Sequence, residues 1–372
     1  MPRSPTLDDL RRHAVARTLF APTTLARAIT RLGFVQADPI RQPARAQDLI
    51  LRHRVAGYRA GDLEAKYPRL AIEEDFFVNY GFVPRELHAL MHPRTARRVW
   101  PKATTNKAHA VLEFVRERGI VHPREVDAHF RHGRTTNWFG GSSNASTQLL
   151  DGMHYRGLLR VARREGGTRC YAVRLPREDA ADAQTAIDRL IDVAVAVYAP
   201  LPARTLGQLV AWVAMAAVPQ WRAQRRDALA RAKARLAQAT IDGVRWYWPA
   251  GENPASKRHE ADADDVKLLA PFDPIVWDRT RFEALWGWAY RFEAYTPAAK
   301  RLRGYYAMPL LRGDRVIGWG NLAVKGGALD AAFGFVDGRA PRDASFARAL
   351  DVELDRMRDF LRIDRTEGGA QS

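Results

Sequence analysis

Cysteine is almost absent from this chain: Cys170 stands alone among 372 residues. An internal disulfide and a multi-cysteine zinc site are thereby excluded, and a reducing compartment, the cytoplasm with its nucleoid, is the expected location. Long apolar runs are missing as well. The longest, LVAWVAMAAVP at 209–219, is too short to span a bilayer, and the opening MPRSPTLDDLRRHAVAR has no apolar signal core, so neither a membrane protein nor a secreted one is expected. No phosphate-binding P-loop and no GxGxxG after a strand occur, which removes support for nucleotide hydrolysis and dinucleotide redox chemistry. Acid is in deficit too. Lys and Arg number 59 against 42 Asp and Glu, a net charge of +17 that gathers polyanions, nucleic acid first among them.

The excess is concentrated at the start, where residues 1–60 hold eleven Arg, no Lys and only four acids, Asp8, Asp9, Asp38 and Asp48. Within that stretch the chain reads RLGFVQADPIRQPARAQDLILRHR. Gln36 and Asp38 occupy alternate positions after an apolar pair, and in extended backbone alternate side chains point the same way. Taken alone, Asp before Pro is ordinary turn chemistry that ends a strand.

Two capped helices lead into this segment. SPTLDDLRRHAVARTLF takes Ser4 or Thr6 as its cap, and APTTLARAITRLG takes Thr23 or Thr24 and closes on Gly33. A third helix is expected over ARAQDLILRHRVAGYR. Further on, TTNKAHAVLEFVRERG, VHPREVDAHFRHG and GGSSNASTQLLDGMHYRGLL read as three helices, the last capped by Ser142 or Ser143. They precede two alternating strands, RVARRE and TRCYAVR, joined at Glu165-Gly166-Gly167. Three helices and a hairpin make a winged helix. Its third helix presents Ser142, Ser143, Asn144, Thr147 and Gln148 near the N-terminal end, where side chains and free amides meet phosphates and base edges. Arg163, Arg164 and Arg169, with Arg160 and Arg174, line its wing, which favours DNA over a protein partner.

A second such unit is expected over 182–248. Its third helix, WRAQRRDALARAKARLAQATI, carries charge all the way round and so has no basic stripe. PAGENPASKRHEADADDV reads as a linker. VKLLAPFDPIVWD, YRFEAYTP, GYYAMPLLRGDRVIGWGNLAVKGG and AAFGFVDG then look strand-like, and SFARALDVELDRMRDFLRI is a closing helix. The expected class is α+β, tandem winged-helix (helix-turn-helix) domains followed by a β-rich C-terminal domain. The expected divisions are 1–100 (helical, winged-helix-like, carrying Gln36 and Asp38), 101–178 (winged helix with basic wing), 179–250 (second winged-helix-like domain) and 262–372 (β-rich).

His88 and His92 lie one helical turn apart, as a metal pair would, but no third ligand stands at a telling distance along the chain. The triplet Glu73, Glu74 and Asp75 reads as a helix start or a solvated turn. No metal and no cofactor is expected.

The segments LGFVQADPI, LLAPFDPIVWDRTRFEALWGWAYRFEAYTPAAKRLRGYY and PLLRGDRVIG resemble the winged-helix DNA glycosylases of the AlkZ and YcaQ (AlkX) group, over essentially the whole chain. The group's catalytic pair is Gln-x-Gln in one branch and Gln-x-Asp in the other. The resemblance therefore implies that Gln36 and Asp38 are catalytic and that the chain lies nearer the YcaQ branch. One departure is DFFVNYGFVP, which lacks the Trp, His and Glu of the YcaQ-type segment.

The implied activity is that of a monofunctional DNA N-glycosylase that removes N7-alkylguanine and unhooks N7-linked interstrand cross-links. The implied partner is double-stranded DNA with alkylated or cross-linked guanine, bound by a monomer. Alkylation at N7 makes guanine a cationic leaving group, so the site must chiefly stabilise a positive sugar. A carboxylate does this and accepts a proton from water, which the amide can hold. Arg41, Arg45, Arg52 and Arg54 would grip phosphates on either side. The rival reading is a non-catalytic winged-helix DNA-binding protein, a regulator or lesion binder, which has no use for a carboxylate among phosphates.

Overall fold

The computed structural model describes residues 3–95, 99–136, 141–175 and 182–363. They fall into two compact units, one of Met1–Leu63, Asp192–Gln208 and Ala232–Ser372, the other of Glu64–Ile191 and Leu209–Arg231. The limits lie inside the helices Asp62–Lys66, Ala183–Tyr198, Ala203–Ala216 and Arg225–Arg235. Among the described residues no helix is long and apolar enough to cross a membrane.

The first unit opens on the helix Leu7–Thr18, whose cap is Thr6 and not Ser4. Thr6 and Asp9 satisfy each other's backbone N–H in a capping box. Helix Leu25–Leu32 starts at Thr24 and ends on Gly33 at φ +73°. A Cβ at Gly33 would lie 2.6 Å from Val193 Cγ1, so both conformation and space demand glycine there. The chain then runs extended through Val35–Gln36 and enters the helix Ala46–Leu51. That helix is much shorter than the expected 44–59. The buried Arg54 side chain donates back to Ile50 O at 2.6 Å and across to Thr18 O at 2.7 Å, so the chain after Leu51 serves as a plug in place of a further turn.

Four antiparallel strands, Val266–Leu268, Met308–Arg312, Arg315–Lys325 and Ala328–Phe335, pair in chain order, and helix Ala344–Leu361 closes the unit. The strand expected in YRFEAYTP does not form. Glu293 is buried, and its carboxylate accepts the backbone N–H of Arg303 at 2.8 Å and of Gly304 at 3.2 Å, which folds the segment into a loop. The expected linker is ordered and holds a short helical turn at Lys257–His259. Glu252 within it lies 2.8 Å from His13 Nε2.

In the second unit the strands Ile72–Phe76 and Tyr80–Pro84 form a hairpin, followed by helix Arg85–Met91. Helices Lys102–Arg118, Pro123–Phe130 and Ala145–Tyr155 come next, then the hairpin Leu159–Glu165 with Thr168–Val173, to whose inner strand Ile120–Val121 also pairs. The cap of the third helix is Asn144, whose Oδ1 accepts Thr147 N–H at 3.1 Å. Ser142 and Ser143, expected as caps, lie instead on a short strand paired with Arg134–Thr136.

Candidate catalytic site

Helix Leu25–Leu32 and its glycine stop deliver Phe34 and Val35 into the core, and Gln36 follows them inside at 4% exposure. Asp38, two residues on, is half-buried. Its Oδ1 accepts Ile40 N–H at 2.9 Å, the turn that Asp-Pro favours, and its own N–H donates to Gln47 Oε1 at 3.3 Å. Gln47 sits on the helix Ala46–Leu51, so this short helix fixes the backbone at the carboxylate.

The electrostatics of Asp38 set it apart. Burial raises its carboxyl above the ordinary range, and only the Ile40 N–H opposes the shift. Among the described residues it has no ion-pair partner, although eleven arginines occupy residues 1–60. Tyr306 is buried, and its phenol is raised well above its usual value by burial and then by the charge of Asp38, which marks the two as electrostatic neighbours. The hydroxyl of Tyr306 and the Oε1 of Gln36 are both buried without a hydrogen-bond partner among the described residues. A carboxylate with an unneutralised field, near polar atoms free to bind a ligand, can stabilise a cation and take a proton.

The arginines expected on phosphates divide. Arg41 is exposed, and Arg45 is half-exposed at the start of the Ala46–Leu51 helix. Arg54 is wholly buried in a bidentate pair with Asp273, at 2.8 and 3.0 Å, and the Arg52 side chain is buried against Glu353 and Leu268 O. Neither guanidinium reaches a phosphate, because removing either from its buried carboxylate would leave an uncompensated charge.

The wing needs the same correction. Arg163 is exposed, and among the described residues it pairs only with Glu165, at 2.7 Å. Arg164 is held by buried Glu74 and by Gly167 O, and Arg160 by Glu73. Arg169 binds Asp151 at 3.0 Å and the Tyr80 hydroxyl at 3.2 Å. The helix end is likewise self-satisfied, since Gln148 Nε2 donates to Thr136 O at 2.8 Å and to Ser143 Oγ at 3.0 Å, and Arg134 donates to Ser142 Oγ at 2.7 Å.

The acidic triplet is neither a helix start nor a solvated turn. Glu73, Glu74 and Asp75 are buried on the strand Ile72–Phe76, each answered by arginine. Asp75 is also the third donor near His88 and His92, at 3.0 and 2.8 Å, which spacing along the chain did not reveal. Burial would lift the Asp75 carboxyl, but Arg94 and the two histidines outweigh it and hold it well below the usual range. Arg94 donates to Asp75 at 3.0 and 3.3 Å, so a dication here would have to displace a buried guanidinium. His122, Glu165 and Cys170 also converge, but burial raises the Cys170 thiol, which disfavours the thiolate a metal needs.

Sequence reasoning did not single out Gln47, Tyr306, Asp273 or Glu353. For Asp273 a signal existed, an acid inside the apolar stretch LLAPFDPIVW, which is the pattern of a buried counter-ion.

Residues 29–360 match the AlkZ-like family, described as DNA glycosylase AlkZ-like. Among solved structures the chain is similar to the DNA glycosylase AlkZ of Streptomyces sahachiroi. The TM-score is 0.65 at 12% identity, over 96% of this chain and 97% of that one. The likeness is one of fold, mixed α and β in both.

Proposed function

Because this chain belongs to the AlkZ-like DNA glycosylase family, we propose that it hydrolyses the N-glycosidic bond of N7-alkylguanine and unhooks N7-linked interstrand cross-links, with Asp38 and Gln36 as its catalytic pair. The observation that carries this reading is the desolvated carboxylate of Asp38, without an ion-pair partner among the described residues, in a protein of net charge +17. Among the described residues the buried acids Asp273, Asp75 and Glu74 are each matched by arginine, and buried Asp278, which has no ion pair, caps a helix by accepting Thr280 and Arg281 N–H. Asp38 is an acid with neither an ion pair nor a helix to cap among the described residues. An unmatched one keeps its field for a cation that arrives with the substrate.

The N7-alkylated base leaves as a neutral molecule when its bond to C1′ of deoxyribose breaks, and positive charge develops on the sugar. Asp38 stabilises that charge and accepts a proton from the attacking water. Gln36 offers its unsatisfied carbonyl to hold the same water. Water's oxygen bonds to C1′, its proton goes to Asp38, and the strand keeps an abasic site. No lysine occurs in the first 60 residues to form a Schiff base, which accords with monofunctional hydrolysis.

We read the three helices and hairpin of 102–173 as a winged helix, and the helices of 183–235 with the hairpin Ala237–Ile241 and Val244–Trp248 as a second. Arg41, Arg45 and Arg163 are the proposed phosphate contacts, with Asn144 and Thr147 at the start of the third helix. Incubation of the protein with N7-methylguanine DNA tests the proposal. Accumulation of abasic sites supports it, and tight duplex binding with no abasic sites would make the chain a lesion binder.

A further inference from the structure

The loop that replaces the expected YRFEAYTP strand carries a second feature of the same site. Tyr295 and Leu302 stand 82% and 81% exposed in it, the two most exposed aromatic and leucine side chains of the first unit. Single exposed apolar residues need no explanation. Here two share one loop, and that loop is rigidly pinned.

Its stem is closed by the buried Glu293 carboxylate on the backbone of Arg303 and Gly304. Arg303 O then accepts Trp319 Nε1 at 3.0 Å and Asn321 Nδ2 at 2.6 Å, which ties the stem to the strand Arg315–Lys325. Gly304 has φ +116°, and a Cβ there would lie 2.3 Å from Asn321 Oδ1, so this approach admits only glycine. Within the loop Arg301 Nε donates to Thr296 O at 2.8 Å, and Lys300 N–H to Pro297 O at 2.8 Å. The tip is therefore ordered before any partner arrives.

The loop is also beside the candidate catalytic site. Gly304 is two residues from Tyr306, the electrostatic neighbour of Asp38. Gln42, four residues past Asp38, donates to Leu322 O at 3.1 Å, next to Asn321 on the strand that holds the stem. Around the tip the charge is one-signed: Arg291 and Lys300 are exposed without an ion-pair partner among the described residues, and Arg301 lies over the Tyr305 ring at 5.0 Å. A basic collar around two apolar side chains suits neither an apolar protein groove nor free solvent. It suits a duplex, whose phosphates meet the cations and whose base stack accepts the apolar tip.

We infer that the loop Glu293–Gly304 is a duplex-opening wedge, in which Leu302 and Tyr295 enter the base stack beside the lesion while Lys300 and Arg291 hold phosphates. The inference rests on the glycosylase reading of Asp38 for its place in the reaction. Such a wedge exposes the glycosidic bond to Asp38 without rotating the base fully out, as a cross-linked guanine requires.

The test uses the full chain and a duplex with 2-aminopurine next to N7-methylguanine, at protein concentrations that saturate binding. Wild-type protein raises the 2-aminopurine fluorescence as the neighbouring stack opens, and the double variant Tyr295→Ala with Leu302→Ala leaves it at the level of free duplex. Both side chains are exposed, so truncation leaves the fold in place. Val352→Ala, an exposed apolar truncation on the closing helix, keeps the wild-type signal. In excision assays the double variant lowers the ratio of duplex to single-strand rates roughly tenfold, because a single strand has no stack to open. Equal fluorescence from wild type and double variant, or no rise with wild type bound, overturns the wedge. A chain that excises nothing from either substrate sinks the glycosylase reading instead, and the fluorescence still decides the wedge.

Discussion

Asp38→Asn is the substitution whose consequences follow most directly from the structure. Asparagine keeps the size of the side chain and an oxygen for Ile40 N–H, so the turn that ends the Val35–Gln36 strand survives. Only the charge is lost. A full positive charge on the sugar about 4 Å from the carboxylate would be stabilised by about 4 kcal/mol at an effective dielectric near 20. Part of that charge develops in the transition state, and each 1.4 kcal/mol or so is tenfold in rate, so excision should slow by roughly tenfold to a thousandfold. The assay is single-turnover release of N7-methylguanine with enzyme in excess.

Stability should move the other way. Burial raises the Asp38 carboxyl, so ionisation disfavours the folded state. That penalty is absent below the unfolded value near 3.9 and complete above the raised folded value. At pH 7 the asparagine variant should therefore melt no lower than wild type. The wild-type rate should also fall on an acid limb whose midpoint lies above the ordinary aspartate value, and the variant should lack that limb. Excision by the variant within about threefold of wild type would refute the electrostatic role.

The wing arginines separate into two kinds by their partners. Arg163→Ala should flatten the salt dependence of DNA binding by up to about one unit of slope, whereas Arg164→Ala, which strands the buried Glu74 carboxylate, should lower stability by about 3–5 kcal/mol. A salt titration and a thermal melt of each variant check this, and an unchanged slope for Arg163→Ala removes that residue from the interface. Acid should loosen the second unit from an unusually high pH. Burial pushes the His92 imidazolium down to about 3, so between about 6.5 and about 3 the unfolded chain binds a proton that the fold does not, and stability falls as pH falls. Below the ordinary aspartate range the depressed Asp75 carboxyl adds to the same loss. A melting temperature that stays flat from pH 6.5 to about 4 would contradict this.

How much of this was legible in the sequence depended on whether the deciding interaction was local. Caps and stops were readable because Thr24, Gly33 and the Gly166-Gly167 turn act within a few residues. The order of three helices and a hairpin over 102–173 followed from the same kind of signal. The fate of each arginine was not readable. Arg54 and Asp273 are 219 residues apart in the chain, and Arg164 and Glu74 are 90 apart, so local composition counted as free charge what the fold neutralises. The strand that became a loop failed for the same reason, since Glu293 looks like an ordinary polar position until its carboxylate is seen on the backbone of Arg303 and Gly304. Gln36 and Asp38 could be marked from the family resemblance and the chemistry of the leaving base, but that Asp38 has no ion-pair partner among so many arginines required the fold.

In the proposed reaction a lone carboxylate suffices because the leaving base already carries its positive charge. This is tested most directly by comparing, with one preparation of the protein, release of N7-methylguanine against release of uracil from otherwise identical duplexes. An ionised aspartate at pH 7 cannot protonate a neutral base. The expected result is release of N7-methylguanine with an intact abasic strand and no release of uracil. Efficient uracil excision, or a nicked strand trapped by borohydride, would contradict it.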